Sequence, residues 1–168
     1  MAKGTVVLKL ENDISTDIIY PGRFMATVLP TETPRFAFAD DKEFNRALID
    51  GEVPAGSFIV AGDNFGCGSS REQAASCIKA YEIIVIARNF ARIFLQNSIN
   101  VGLQMIICPD IDAREGDELE VRGNEVFNLT TGKSFVIESL PQARQEIIDA
   151  GGLIPYVRSL LLADAIKE

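Results

Sequence analysis

The sequence predicts one α/β domain over residues 1–168, and three observations lead there. Short apolar runs, Ser57-Phe58-Ile59-Val60-Ala61 and Ile83-Ile84-Val85-Ile86-Ala87, have the look of strands buried on both faces. Each is followed by a helix-forming segment, residues 72–80 and 91–100. No internal repeat, low-complexity stretch or linker interrupts the chain. Strands separated by helices of this length imply parallel pairing through right-handed crossovers.

The elements follow in order. Residues 5–10 alternate well enough to form a first strand. Residues 12–17 read as a polar turn, and residues 23–35 as an irregular surface loop broken by Pro30 and Pro34, the kind of segment that carries recognition. Residues 41–49 form a short helix and 51–56 a turn. After the second crossover helix, a strand at 104–107 is closed by Pro109. Residues 119–122, 126–129 and 134–137 are short strands joined by Gly123-Asn124 and Thr131-Gly132 turns, an antiparallel ribbon. Helices at 141–150 and 154–166 flank Gly151-Gly152, and the last of them is more apolar than a free tail needs.

Composition removes whole classes of function. The net charge of −8, with no basic patch against it, argues against a nucleic-acid or anionic-membrane partner. The apolar runs are too short to cross a bilayer, and Met1-Ala2-Lys3-Gly4 has no apolar signal segment behind it, so no export is expected. Cys67, Cys77 and Cys108 are odd in number and form no Cys-x-x-Cys pair, which fits a reducing compartment such as the cytoplasm and argues against a disulfide framework or a self-contained zinc site. Cys77 and Cys108 are expected as buried thiols. There is no histidine, which removes the commonest general base and any Ser-His-Asp machinery.

The chemistry gathers in Gly62-Asp63-Asn64-Phe65-Gly66-Cys67-Gly68-Ser69-Ser70-Arg71-Glu72, between a strand and a helix. Glycines there let the backbone curl and expose N–H groups, and the helix start adds partial positive charge. Two serines and an arginine at that point suit a carboxylate or phosphate. The competing local reading is a capping box from Ser69 to Glu72. Gly66 and Gly68 begin a dinucleotide pattern, but Arg71 stands where the third glycine is required, and no Gly-Lys-Ser/Thr follows. Arg88 and Arg92 flank a second strand-to-helix junction, where arginines are more often solvated or structural, and Gln96, Asn97 and Asn100 read as ordinary helix surface. Asp13 and Asp17 read as backbone caps in a turn.

Three blocks, Asp13-Ile14-Ser15-Thr16-Asp17, the segment from Gly62 to Glu72, and Phe90-Ala91-Arg92-Ile93-Phe94 with the asparagines after it, stand in an order that resembles the aconitase superfamily. Within it they resemble the small-subunit family of the 3-isopropylmalate dehydratases and homoaconitases, from about Val6 to about Arg158. The resemblance implies a swivelling β/β/α domain, a mixed sheet with flanking helices, equivalent to the mobile fourth domain of aconitase. It implies hydro-lyase chemistry on a small hydroxy-dicarboxylate, with a [4Fe–4S] cluster carried by a separate large subunit and not by these cysteines. It assigns Ser69 as the base, and Ser70 and Arg71 to a substrate carboxylate. Relatives that hold a further carboxylate place an arginine in a Tyr-Leu-Arg-Thr-like segment, where this chain has Phe24-Met25-Ala26-Thr27. Ala26, beside Thr27, therefore suits an alkyl group, with isopropylmalate expected first and dimethylmalate next. Arg23 stands close enough in sequence to replace the missing arginine, which would point to homocitrate instead. A stand-alone anion-binding module, using the same loop without chemistry, is the alternative from another class.

Overall fold

The computed structural model describes residues 2–165, so the expected helix end at Ile166 lies outside the described residues. Seven strands form one mixed sheet: β1 (Lys3–Lys9), β2 (Phe58–Ala61), β3 (Ile84–Ala87), β4 (Met105–Ile107), β5 (Glu118–Arg122), β6 (Glu125–Asn128) and β7 (Lys133–Val136). Their order across the sheet is β4-β3-β2-β1-β5-β6-β7. β1 to β4 run parallel, and β1 pairs antiparallel with β5, which starts the antiparallel ribbon of β5, β6 and β7. The sheet curls until its ends meet, where the Glu138 N–H donates to the Ile107 carbonyl at 2.8 Å.

Among the described residues six helices accompany the sheet: α1 (Thr16–Ile19), α2 (Lys42–Ile49), α3 (Glu72–Lys79), α4 (Arg92–Val101), α5 (Gln142–Asp149) and α6 (Leu153–Ala165). The period of two in a strand divides β2 between two cores. Phe58 and Val60 face the inside of the curl with Val6, Ile86, Leu119 and Val126. Ile59 and Ala61 face the helices, against a core that includes Ile78, Phe94 and Ile99. The short apolar runs are thus buried on both faces, as their continuity predicts. Cys77 and Cys108 are free and buried, as expected.

Two local expectations change. The polar turn at 12–17 ends in a helical turn, α1, because Ser15 caps it by accepting from the Ile18 N–H at 3.3 Å. The loop at 23–35 contains two 3₁₀ turns, Gly22–Phe24 and Thr33–Phe36. An aromatic lock orders them: Phe24 stacks on Phe36 at 4.1 Å, Tyr20 meets Phe36 edge-on, and the Tyr20 hydroxyl donates to the Phe24 carbonyl at 3.1 Å. The final helix, more apolar than a free tail needs, carries Ile154, Leu161 and Leu162 on the surface.

Candidate functional site

The loops that follow β1, β2 and β3 meet at the carboxyl ends of the parallel strands, the usual place for a site in such a sheet. The central loop, between β2 and α3, is held from both sides. From the β1 side, the Gly66 N–H donates to the Ile14 carbonyl at 2.7 Å and the Thr16 N–H to the Cys67 carbonyl at 2.8 Å. From the β3 side, the Asn64 N–H donates to the Asn89 side chain at 2.8 Å and the Ala91 N–H to the Phe65 carbonyl at 2.9 Å. Gly66 has φ +81°, and a Cβ there would fall 2.1 Å from the Phe94 ring, so this position requires glycine twice over.

Ser69 and Ser70 come out of this curl exposed at the surface, ahead of α3. No capping box forms: α3 starts at Glu72 with Arg71 in the cap position and no side-chain cap. The Ser69 hydroxyl turns instead to Thr16, 53 residues away, at 3.2 Å. The local pattern loses to a long-range contact.

Arg71 lies largely buried between the loop and α1. Its Nη1 donates to Asp17 and to the Tyr20 carbonyl at 3.0 Å, and its Nη2 donates to the other Asp17 oxygen at 3.0 Å. A guanidinium has five N–H donors in a planar fork. Asp17 and Tyr20 take three of them, which leaves the Nε and the outer Nη2 hydrogens side by side, a second fork for a second carboxylate. Gly22 lies against this guanidinium, where a Cβ would stand 3.0 Å from Nη2. Asp17 also accepts from the Gly22 N–H at 3.0 Å. The Arg71 guanidinium first, then the Gly22 N–H, hold the Asp17 carboxyl below its usual range.

The recognition segment divides. Ala26 is exposed and Thr27 half-buried on the turn that begins at Gly22, and Tyr20 holds both ends of that turn through the Phe24 and Thr27 carbonyls. Arg23 is drawn aside, with both terminal nitrogens on Asp40 and its guanidinium over the Phe24 ring at 4.6 Å. Arg88 is exposed, 3.8 Å from Asp63, and Arg92 is exposed at the start of α4. Ser69, Ser70 and Arg71 are therefore brought together, with Ala26 and Thr27 on a segment that starts beside Arg71, while Arg23 faces Asp40. Sequence reasoning missed Thr16 and undervalued Asp17, since each acts on a residue far along the chain.

The Aconitase C-terminal domain family matches residues 39–110, which include this central loop and α4. A 3-isopropylmalate dehydratase small subunit from Heliobacterium modesticaldum is 44% identical over 91% of this chain and 93% of its own length. The chain belongs to that small-subunit family. An isopropylmalate/citramalate isomerase small subunit from Methanocaldococcus jannaschii is 44% identical over 90% of this chain and 91% of its own. A crystal structure of 3-isopropylmalate dehydratase from the same organism superposes with TM-score 0.89, at 38% identity, covering 99% of each chain. The swivelling fold expected from the family, a curled mixed sheet with flanking helices, is the fold observed.

The family implies an iron–sulfur cluster, and this chain's own residues do not fit one. Among the described residues no group of three or more His, Cys, Asp or Glu side chains is gathered to hold a metal. Burial pushes the Cys77 thiol well above its ordinary range, and burial with the nearby Asp110 raises Cys108 to about 11, whereas a cluster needs thiolates. Among the described residues no helix is long and apolar enough to cross a membrane.

Proposed function

We propose that this chain is the small subunit of a cytoplasmic hydro-lyase that interconverts alkylmalates, 3-isopropylmalate and 2-isopropylmalate first among them, as a step of leucine biosynthesis. The observation that carries the reading is the spare Arg71 fork beside two exposed serine hydroxyls. Moving a hydroxyl between adjacent carbons requires removal of a proton from one carbon and its return to the next. Ser69, as the alkoxide, takes that proton and gives it back, which explains how the chemistry proceeds without histidine. Ser70 and Arg71 grip a substrate carboxylate so that the carbon to be deprotonated faces Ser69. The loop is open to solvent on this chain alone, so a large subunit closes over it, bringing the cluster and the rest of the site. The exposed Ala26 supports an alkyl substituent, and the Arg23–Asp40 pair supports it by occupying the nearest alternative arginine. The name of the M. jannaschii relative, which couples isopropylmalate with citramalate, points the same way.

The test is anaerobic reconstitution with the cognate large subunit, assayed on isopropylmalate, dimethylmalate, homocitrate and citrate side by side. Activity confined to alkylmalates is expected, with Ser69→Ala abolishing turnover and Arg71→Lys raising KM. Preference for a tricarboxylate would overturn the loop reading, and near-normal turnover by Ser69→Ala would remove the base assignment.

A further inference from the structure

The Thr16 side chain is 1% exposed, although it borders a surface loop. A buried hydroxyl needs a partner, and among the described residues this one finds its hydrogen-bond partners on Ser69: the Thr16 Oγ1 lies 3.1 Å from the Ser69 carbonyl oxygen and 3.2 Å from the Ser69 Oγ. The Thr16 backbone N–H is fixed on the Cys67 carbonyl at 2.8 Å, and Ser15 anchors the start of α1 one residue before. Thr16 therefore holds its hydroxyl beside Ser69 with little freedom beyond rotation of the O–H bond.

We propose that Thr16 is a positioning residue that acts through Ser69, as a hydroxyl that switches acceptor when Ser69 changes protonation state. This rests on the reading of Ser69 as the base. A threonine hydroxyl has one proton and two lone pairs. While Ser69 is neutral, its O–H donates to Thr16 Oγ1, and the Thr16 O–H donates to the Ser69 carbonyl. Once Ser69 has lost its proton, it has nothing to donate, and the Thr16 O–H turns to the alkoxide as a charge-assisted bond. When the alkoxide takes a proton from the substrate carbon, the Thr16 O–H returns to the carbonyl. Thr16 keeps its own proton throughout, and the only bonds made and broken are those of the proton moving between carbon and Ser69 Oγ. The buried donor thus favours the ionised serine, and only the O–H bond of Thr16 has to rotate, its oxygen staying beside Ser69 throughout.

The test uses the reconstituted two-subunit enzyme with Thr16→Val, Thr16→Ala, Thr16→Ser and Ser69→Ala, measuring kcat, KM and the pH profile of kcat on isopropylmalate. Thr16→Val is expected to lower kcat by roughly 10- to 100-fold, the range for losing a hydrogen bond to a charged group, with KM nearly unchanged. Its kcat should also rise with pH at a higher pH than in the parent enzyme, since the ionised serine has lost a donor. Thr16→Ser, which keeps the hydroxyl, should restore both. Thr16→Ala gives the same readout should valine not fit. A valine or alanine variant with the parent kcat and pH profile, beside an inactive Ser69→Ala, overturns the role of Thr16 and leaves Ser69 as base. A loss that Thr16→Ser fails to rescue also overturns it. An active Ser69→Ala instead brings down the reading on which the role rests.

Discussion

The two halves of the curled sheet use glycine for opposite ends. In the parallel half, Gly66 sits where a side chain would run into Phe94, and its φ of +81° adds a second demand. In the antiparallel half, Gly123 turns β5 into β6 at φ +58° with nothing within 4 Å of where a Cβ would be. Of the non-glycine residues with positive φ among the described residues, Asp13 and Asn64 lie in loops at the carboxyl ends of the parallel strands, joined by an Asn64-to-Asp13 hydrogen bond of 2.7 Å, while Phe38 and Glu82 lie in loops next to α2 and α3. Close packing against glycine thus belongs to the parallel half, the central loop included, while the ribbon turns at Gly116, Gly123 and Gly132 stand in open space. Strain at a site is stable only where neighbours over-determine it.

Four measurements break or sharpen that contrast. The largest effect is expected from Gly66→Ala, which combines left-handed strain with overlap on a packed ring and should cost roughly 3 kcal/mol or more by urea unfolding. Trimming the ring with Phe94→Leu should recover part of that cost, a coupling that a double-mutant cycle would read. A cost below about 1 kcal/mol for Gly66→Ala would show that the loop is not clamped as described.

Next comes Lys79→Met. The Lys79 ammonium donates to the Val101 carbonyl at the end of α4 and to the Gly151 carbonyl, at 2.7 Å, ahead of α6. Its removal strands two carbonyls and should cost about 2 kcal/mol, with hydrogen exchange rising first around Gly102 and Gly151. Unchanged exchange there would mean water replaces the ammonium freely. Gly123→Ala should cost about 1 kcal/mol, the strain term alone, and leave reconstituted activity intact. A loss of activity would show that the ribbon communicates with the site.

The smallest effect concerns acid. Asp17 has its carboxyl held below the ordinary range by Arg71, so the pair contributes stability above the unfolded value and loses it as pH falls through the folded one. Binding at Arg71 should therefore survive mild acid and fail only below the usual carboxylate range, a fall that Asp17→Asn should remove from the pH dependence of KM. An unaltered acid limb in that variant would mean another carboxylate sets it.

The sequence displayed the parallel half more readily than the site itself. Continuous apolar runs revealed β2 and β3, and Gly-Asn and Thr-Gly turns revealed the ribbon, because each signal is local and each outcome follows from a few adjacent residues. Ser69, Ser70 and Arg71 were visible for the same reason. Their partners were not: Thr16 and Asp17 belong to a segment that reads as a turn, and they reach the central loop only when β1 and β2 pair in parallel. The capping-box reading failed by the same cause, since Ser69 gives its hydroxyl to a residue no local window contains. The 3₁₀ turns at 22–24 and 33–36 arise from ring stacking between Phe24 and Phe36, which has no periodicity to find.

The closing bridge between Glu138 and Ile107 has a consequence for the chain on its own. The two outermost strands, β4 and β7, are three and four residues long, and their ends meet at that bridge. A long, flat border of unpaired N–H and C=O groups would invite another chain to add a strand and begin a fibre. Curling the sheet onto itself leaves very little such border. A chain with so little open margin is guarded against taking up a strand from a second copy while it stands alone.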